Sequence, residues 1–361
     1  MAVKIPNPSG MAVARCLMRR QQLSGLVVAH LPNIRYLTGF SGSTGLALLT
    51  HRKCFLLLDS RYLEQASREG LAASIVPVTR DPWSGLGGLI RSERLRRVGF
   101  ESAATSYQQA RRLKEDLSGV RLVSTSGIVE AARRRKEKRE IHAIGRALRL
   151  TEQAFIEVLP LIRPGMRETE LAAELELRQR RAGAEAFSFE TIVASGRRSS
   201  YPHGWATRRK LRAGDPIVID FGIFLDGYAS DFTRTVVLGK ATRQFRAAYN
   251  SVRGALQEAE NRLQSGRSAK WLDSVCRTFL HKAGLDRYFV HGTGHGVGLE
   301  IHEAPSISAR SNDVIESGDL FTLEPGVYLP GQFGIRIEDM VWVNGNGCHR
   351  LNRVPHELVE L

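Results

Sequence analysis

The spacing of apolar and polar residues divides the chain into two regions. Up to about residue 128, short apolar runs alternate with segments in which apolar residues recur every three or four positions. The first spacing is typical of buried strands and the second of amphipathic helices. This alternation predicts an α/β domain over residues 1–130. Its predicted strands are 26–29, 46–49, 54–58, 74–78, 98–100 and 121–123, and its predicted helices are 11–23, a segment from Arg61, and 108–117.

The second region, residues 131–361, is predicted to be a separate domain. Apolar residues at helical spacing run from 131 to 158, and Pro164-Gly165 stops the pattern. We expect this helix to carry the chain from the first domain into the second. A strand is predicted at 187–194 and further helices at 169–181, 245–263 and 270–283. The helix at 245–263 has an apolar stripe of Phe245, Tyr249, Val252 and Leu256.

The glycine-rich stretch 39–45 has the composition of a phosphate-binding loop. It matches neither GxxxxGK[ST] nor GxGxxG, however. We therefore expect a tight turn between two strands.

Two aspartates interrupt strand-like runs between residues 214 and 239. Asp220 directly follows the apolar run 216–219, and an Asp is almost never buried unless it is paired or bound to a cation. Asp226-Gly227 lies between the two aspartates and is a hairpin-turn signal. The flanking strands should therefore pair antiparallel and bring Asp220 and Asp231 side by side. Two like charges in contact need a counter-charge, for which a pair of divalent metal ions is the candidate.

The net charge of +15 is of the kind that nucleic-acid-binding proteins carry. Residues 1–140 hold 24 Lys and Arg against 11 Asp and Glu, whereas residues 141–361 hold 28 against 26. The basic excess thus lies in the half without the paired aspartates. No RNA- or DNA-binding motif accompanies it, so we interpret it as a solvated surface and expect no nucleic-acid partner.

The cysteines and the hydropathy pattern bear on the cellular compartment. The four cysteines fit neither a disulfide framework nor a CxxC metal site, and we interpret them as reduced thiols. No apolar run approaches the roughly 20 residues of a membrane span. Residues 1–10 lack the residue order of a signal peptide. These features predict a cytoplasmic protein without a membrane partner.

Three histidines fall within a glycine-rich stretch at 289–305. His291, His295 and His302 lie within twelve positions, and the glycines between them indicate backbone packed close to a site. Farther on, Glu324 and Glu338 each stand in an apolar, strand-like run. Any one of these residues is more often a surface or satisfied core group than a ligand. Their joint occurrence with the two aspartates favours a metal site.

The candidate ligand set is Asp220, Asp231, His295, Glu324 and Glu338. Its four carboxylates carry −4 and two divalent ions carry +4, which removes the cost of burying the charges. Oxygen-rich ligation with one imidazole suits Mn²⁺ or Co²⁺ better than a structural zinc. We expect two Mn²⁺ ions, with Co²⁺ or Zn²⁺ as alternatives. Because paired ions lower the pKa of a shared water towards ~7 and polarise a carbonyl, the site predicts hydrolysis.

The order of these motifs resembles the pita-bread metallopeptidases, specifically their Xaa-Pro aminopeptidase and prolidase branch. The motifs are two aspartates eleven residues apart, HGTGHGVGLEIHE, LEPGVY and GIRIED. NIRYLTGFSGSTG and LDSRYLEQA are similar to the creatinase-type N-terminal domain of that branch. The resemblance implies an α/β (α+β) protein, in which a creatinase-like domain precedes a pita-bread domain whose curved antiparallel sheet is covered by helices. Creatinase itself keeps the fold without metals and is disfavoured, because all five metal positions match.

The resemblance also implies a role for each site residue. Asp231 and Glu338 would bridge the two metals, and Glu324 would also act as general base and acid. His203, His291 and His302 match substrate-binding and proton-shuttling histidines of the family. Arg336 would orient the ligands, and its alternative interpretation is a surface ion pair.

The preference for proline comes from the resemblance alone, which implies a homodimeric exopeptidase acting on Xaa-Pro peptides. Some prolidases carry an Arg directly after their His-Glu-x-Pro segment, where this chain has Ser306. A serine is a weaker partner for a free carboxylate than an arginine, although Arg310 or an arginine of a partner subunit could replace it. An Xaa-Pro aminopeptidase is therefore favoured over an Xaa-Pro dipeptidase.

Two further alternatives are less well matched. A non-catalytic pita-bread scaffold that binds protein or nucleic acid would be expected to have lost metal ligands, and none is lost here. Methionine aminopeptidases typically lack so large an N-terminal domain.

If the basic excess of residues 1–140 is a solvated surface, binding to duplex DNA or RNA should be weak and should vanish near physiological salt. A filter-binding titration over a salt series measures this. Sub-micromolar binding at about 150 mM salt would favour the scaffold instead.

Overall fold

The computed structural model describes residues 8–345 and 347–361, so the segment in which we expect no signal peptide lies largely outside the described residues. The chain forms two compact units, Met1–Arg133 and Arg134–Leu361. None of the helices in the described ranges is long and apolar enough to cross a membrane.

The first unit alternates helices and strands, which confirms the predicted α/β class. All of the predicted elements are present, with ends that differ by a few residues. In chain order the elements are α1 (Pro8–Arg20), β1 (Gly25–Val28), α2 (Leu31–Thr38), β2 (Leu46–Thr50), β3 (Cys54–Asp59), α3 (Leu63–Glu69), β4 (Ser74–Val78), α4 (Leu86–Ser92), β5 (Arg97–Glu101), α5 (Tyr107–Asp116), β6 (Arg121–Thr125) and α6 (Ile128–Arg134).

The strands of this unit form one mixed sheet in the order β4-β3-β2-β1-β5-β6. β1 pairs antiparallel with β2 and parallel with β5, and β3 pairs parallel with β4. β1, β2 and β3 are buried along their whole length, as expected for strands that read as continuous apolar runs.

The expectation of a strand-to-strand turn at 39–45 is wrong. The stretch follows helix α2, and Gly39 ends that helix in the left-handed conformation with φ 86°. Helix α2 has only eight residues, too few for its apolar spacing to be recognised, although Pro in its first turn is a helix-start signal. Helix α4 was missed for a related reason, since it is short and contains Gly87 and Gly88.

The second unit is built on antiparallel strands and helices. Its helices are α7 (Lys138–Val158), α8 (Glu168–Arg181), α9 (Arg243–Arg262) and α10 (Ala269–His281). Its strands are β7 (Ala186–Phe187), β8 (Ile192–Ser195), β9 (Pro216–Phe221), β10 (Ile223–Leu225), β11 (Tyr228–Ala229), β12 (Phe232–Val237), β13 (Gly294–Gly296), β14 (Glu303–Ile307), β15 (Leu320–Leu323), β16 (Gly326–Leu329), β17 (Phe333–Arg336), β18 (Asp339–Asn344) and β19 (Gly347–Arg350).

The antiparallel strands of the second unit form separate hydrogen-bonded sheets in the described ranges. Their orders are β11-β10-β7, β12-β9-β8, β14-β13-β15-β18-β19 and β16-β17. The strand predicted at 187–194 is thus divided, because β7 joins one of these sheets and β8 another.

The single helix expected at 131–158 is two helices, α6 and α7. Between them Arg135 forms a β-bridge with Asp319, and the N–H of Lys136 donates to the carbonyl of Gly318. This extended pairing interrupts the helical pattern. Glu137 then begins α7 with a capping box that includes Glu140, so the charged residues favour a new start at this point.

The apolar stripe predicted on α9 lies in the core of the second unit. Phe245, Tyr249, Val252 and Leu256 are all at most 4% exposed. They pack in one cluster with α10 and with strands β15 to β18. This cluster supports the strands that carry the candidate ligands.

Leu256→Ala should lower the free energy of unfolding by about 2–5 kcal/mol, because Leu256 is fully buried and its loss leaves a cavity. Leu177→Ala is the matched control, since Leu177 on α8 is 43% exposed and should cost under ~0.5 kcal/mol. Denaturant unfolding followed by circular dichroism compares the two. Equal midpoints would contradict the assignment of the stripe to the core.

Candidate metal centre

The hairpin between β9 and β12 places the two aspartates. The strands pair antiparallel with Phe221 opposite Phe232, and the prediction of this pairing is confirmed. Asp226 and Gly227 have φ values of 51° and 80°, as a two-residue hairpin turn of the primed type requires. Asp220 lies in β9 and Asp231 directly precedes β12, so both stand at the same end of the strand pair.

Glycines allow the histidine-rich segment to form an inner strand of its sheet, β13. β13 pairs with β14 on one side and with β15 on the other. A Cβ at Gly294 would lie 1.8 Å from the carbonyl oxygen of Thr322, and one at Gly296 would lie 2.2 Å from that of Ala304. No side chain fits at these distances, so the backbone itself fills the space and His295, between the two glycines, is fixed at the site.

Both glutamates stand at strand ends and not inside strands, which differs from the expectation. Glu324 follows β15, and its N–H donates to the carbonyl of Thr293 at 2.8 Å. Glu338 lies between β17 and β18, and its N–H donates to the carbonyl of Thr233 at 3.2 Å. These contacts turn both backbones out of their own ladders.

The five candidate ligands meet in one cleft of about 390 Å³. Ligand oxygens of Asp220, Asp231 and Glu338 all lie within 4.8 Å of one another. The Nε2 atom of His295 is 3.5 Å from Asp231 Oδ2 and 3.4 Å from Glu324 Oε1. The side chains that the sequence analysis selected are therefore within reach of a shared pair of ions.

Two of the carboxylates show one anchored oxygen and one oxygen without a partner. Arg336 donates to Oδ2 of Asp220, and the hydroxyl of Thr233 donates to Oε2 of Glu338 at 2.7 Å. Asp220 Oδ1 and Glu338 Oε1 are buried without a hydrogen-bond partner. A buried carboxylate oxygen with no partner is costly, and a cation would remove that cost. The donor set thus fits divalent metal ions.

Burial and mutual repulsion raise the pKa of three of these carboxylates. Burial, and then the charges of neighbouring carboxylates, raise the pKa of Asp231 and of Glu338 well above the usual range. Burial raises the pKa of Glu324 to about 7. Protons therefore compete with cations for these oxygens, and metal binding should release protons.

The hydrogen bonds of His295 leave one ring nitrogen free for a metal. Its Nδ1 lies 3.1 Å from the carbonyl oxygen of Gly296, which can only accept a hydrogen bond, so Nδ1 carries the proton. Burial lowers the pKa of His295, which favours the neutral ring. The lone pair of Nε2 therefore points toward the carboxylates, as a metal ligand requires.

A hydrogen-bonded chain connects His291 to Asp220. The Tyr328 hydroxyl accepts from Arg336 Nη1 at 2.7 Å and lies 2.8 Å from His291 Nε2. Since His291 Nδ1 donates to the Gly292 carbonyl, Nε2 accepts the proton of Tyr328. Burial lowers the pKa of His291 to about 3, in agreement with a neutral ring.

Arg336 is at the centre of this chain and is no surface ion pair, since it is 3% exposed. It also donates to the carbonyl of Pro202 at 3.0 Å, next to His203. His203 and His302 line the cleft, and the ring centroids of His302 and His295 are 4.3 Å apart. All of the candidate catalytic residues therefore lie at this one site.

Sequence reasoning missed Tyr328 and Thr233, which anchor the site. Tyr328 lies in the LEPGVY motif and is 4% exposed, and Thr233 is fully buried opposite Asp220. The available signal for Thr233 was a hydroxyl residue within a strand otherwise read as buried. A buried hydroxyl needs a partner, and the nearest unsatisfied groups were the carboxylates.

A second acidic cluster, of Glu260, Asp339 and His356, is a different kind of site. Asp339 Oδ1 accepts from Arg234 at 2.9 Å and Oδ2 lies 2.6 Å from His356 Nε2. The charge of Asp339 is thus already compensated by protein groups. Arg234 also donates to the carbonyl of Glu338, so the cluster supports the backbone behind that residue.

Buried carboxylates and a neutral imidazole around one cleft define a metal-dependent hydrolase. The profile of "Metallopeptidase family M24" matches residues 142–345, and that of "Creatinase/Prolidase N-terminal domain" matches residues 12–135. The chain belongs to metallopeptidase family M24. Membership implies divalent metal ions at the site and confirms the predicted hydrolase class, the creatinase-like first domain and the pita-bread fold.

Relatives and solved structures cover almost the whole chain. It is 33% identical to an Xaa-Pro dipeptidase of Pyrococcus horikoshii over 95% of this chain and 96% of the relative. It is similar to the structure of an Xaa-Pro dipeptidase from Bacillus anthracis, with TM-score 0.95 and 34% identity over 98% and 99% of the two chains. It is also similar to that of an X-Pro aminopeptidase from Thermotoga maritima, with TM-score 0.89 and 34% identity over 96% and 100%.

Asp220→Asn should keep the fold but weaken the binding of at least one metal ion, because a neutral amide does not balance a dication. Peptide hydrolysis should fall by orders of magnitude. Metal analysis after dialysis, together with peptide assays, measures both effects.

Asp215→Asn is the matched control, because Asp215 is also buried but pairs with Arg209 at 2.7 Å. It should retain metal content and activity. Hydrolysis by Asp220→Asn at the parent rate with metal supplied would refute the role of Asp220.

Proposed function

We propose that the protein is an Xaa-Pro aminopeptidase that uses two Mn²⁺ ions and releases the first residue from peptides with proline in second position. We further propose that it acts as a homodimer. The observation that carries the choice of aminopeptidase is the neutral character of one wall of the cleft, which β14 forms.

The residues of the centre have distinct tasks in this proposal. When bound, the metal pair supplies Lewis acidity to the peptide carbonyl and lowers the pKa of water. Asp220, Asp231, His295, Glu324 and Glu338 would hold the ions. Glu324, which lines the cleft beside His295, would also take a proton from water and return it to the leaving amine.

The histidines line the cleft that the substrate would occupy, and Tyr328 supports one of them. His291 is neutral and hydrogen-bonded to Tyr328, so it is held in one orientation at the cleft wall. His302 precedes β14 and lines the cleft beside His295. We place the scissile carbonyl beside His302, and the proline ring among His203, His291 and His302. A tertiary amide lacks the N–H that many proteases grip, and binding through the metals does not require it.

The peptide beyond proline passes the wall that β14 forms. Ser306 in β14 pairs directly with His295 in β13, so their side chains share one face. Ser306 and Ser308 line the cleft, and Arg336 is the one arginine of its lining in the described part of the chain. Arg336 is already bonded to Asp220 and Tyr328. A dipeptide's free carboxylate would meet hydroxyls there, whereas a longer peptide loses nothing.

An Xaa-Pro dipeptidase is the alternative, and relatives carry both names. Arg310 is exposed, follows β14 and does not line the cleft. A dipeptidase would need this residue, or a partner subunit, to supply the carboxylate clamp.

The test compares kcat/KM for Ala-Pro and Ala-Pro-Ala, using metal-stripped protein reconstituted separately with Mn²⁺, Co²⁺ and Zn²⁺. We expect a preference for Ala-Pro-Ala with Mn²⁺. Ser306→Arg should raise activity on Ala-Pro, because a charge-assisted hydrogen bond contributes about 1.5–3 kcal/mol against about 0.5–1.5 for a neutral one.

Ser311→Arg is the control, since Ser311 bonds to Asp313 and is not part of the cleft lining. It should leave the ratio of the two substrates unchanged. A clear preference of the parent protein for Ala-Pro would overturn the aminopeptidase assignment in favour of the dipeptidase.

A further inference from the structure

We propose that Asp273 and Arg277, on one face of α10, are positioning residues that hold the two halves of the active centre. Asp273 would position the metal-ligand side, through Thr293. Arg277 would position the substrate-binding His291. The inference rests on the proposed function, because it assigns these two tasks to the same site.

Asp273 is 1% exposed and is directed at the start of the histidine-rich segment. Its Oδ1 accepts from the Thr293 hydroxyl at 2.8 Å and from the Thr293 N–H at 3.2 Å. The carbonyl of Thr293 in turn accepts from the N–H of Glu324 at 2.8 Å. A single residue therefore connects Asp273 to the backbone of a candidate ligand.

Thr293 also fixes the backbone that leads to His295, two positions farther along the chain. The N–H of His295 donates to the hydroxyl of Thr322, which donates to Glu324 Oε1, both at 3.1 Å. His295 and Glu324 are thus tied to one another and to Thr293. A shift of Thr293 would move both ligands together, and metal sites tolerate little such movement.

Arg277 holds the backbone that leads to His291. Its Nη1 donates to the Phe289 carbonyl at 2.8 Å, and its Nη2 donates to the His291 carbonyl at 2.6 Å. Its guanidinium also lies 4.5 Å from the centre of the Phe289 ring. Since residues 289–293 are in neither a helix nor a strand, these carbonyls lack ladder partners and Arg277 satisfies them.

The two side chains form one unit. Arg277 Nε donates to Asp273 Oδ2 at 2.7 Å, and the residues are four positions apart on the helix. Nη2 also donates to Asp273 Oδ1, at the longer distance of 3.4 Å. Oδ1 therefore accepts mainly from Thr293, and Nη1 and Nη2 donate mainly to the loop carbonyls. A planar guanidinium has enough donors to bond to Asp273 and to the loop carbonyls at the same time, whereas a lysine would supply only part of these hydrogen bonds.

The tasks are separable by experiment. Asp273→Asn should weaken Mn²⁺ binding about tenfold or more, as loss of a supporting contact to ligands typically does. Arg277→Gln should leave Mn²⁺ affinity within about twofold of the parent and lower kcat/KM on Ala-Pro-Ala about tenfold or more, with partial rescue in Arg277→Lys. Titration calorimetry of the metal-stripped proteins measures affinity without substrate.

Two further variants make the test decisive. Arg262→Gln removes an equivalent i,i+4 ion pair, with Glu258 on α9, and should change neither quantity. If Asp273→Asn fails to fold, Thr293→Val takes its place in the test. It removes the hydroxyl that donates a hydrogen bond to Asp273 and should also weaken Mn²⁺ binding.

The proposal is overturned if the Asp273 or Thr293 variant binds Mn²⁺ like Arg262→Gln, or if the Asp273 and Arg277 variants lose metal affinity and turnover in the same proportion as they lose thermal stability. A parent protein that neither binds Mn²⁺ nor cleaves Ala-Pro-Ala would refute the proposed function instead.

Discussion

The structure of the second unit depends on burying four carboxylates around one cleft. Repulsion between them and loss of solvent raise the pKa of Asp231 and Glu338. Such a cluster is unfavourable for folding unless protons or cations neutralise it. Among the described residues that line the cleft, Arg336 is the one Lys or Arg, and it reaches only one oxygen of Asp220. The unsatisfied oxygens are therefore available to ions, and the energy that opposes their burial becomes metal affinity.

Anchoring of the ligands is the second requirement, and backbone geometry meets much of it. Glu324 and Glu338 stand at strand ends, where the backbone bonds to a neighbouring segment in place of its own ladder. The hydroxyls of Thr233 and Thr322 and the guanidinium of Arg336 each fix one carboxylate oxygen of the site. The apolar cluster of α9 and α10 supports these strands from behind. Rigid elements thus hold the centre, which favours exact metal geometry over induced fit.

Much of this arrangement could be predicted from the sequence, since an acidic residue in a strand-like run or a histidine between glycines contradicts its surroundings. Those contradictions located the five candidate ligands, and the Asp226-Gly227 turn signal located the β9–β12 pairing. His203 and Arg336 were found only through the family resemblance. Residues whose type agrees with the predicted secondary structure around them gave no such signal. Asp273 and Arg277 look like an ordinary i,i+4 helix pair, and their contacts to Thr293 and His291 depend on tertiary packing. Likewise, the interruption between α6 and α7 follows from pairing with residues 318–319, which no local pattern encodes.

In the proposed function, the chemistry of bond cleavage and the choice of peptide length lie on different elements. The carboxylates come from the ends of β9, β12, β15 and β17, whereas the wall that the peptide's carboxyl side would meet is β14. One position on that wall, Ser306, is directly opposite His295 but contributes no ligand. A change there alters the charge that a substrate meets without altering the metal centre. Proteins named Xaa-Pro dipeptidase and X-Pro aminopeptidase are each 34% identical to this chain over nearly its whole length. Under the proposed function the two activities would share one metal centre, and Ser306, the cross-strand partner of His295, is the position at which we expect their substrates to be distinguished.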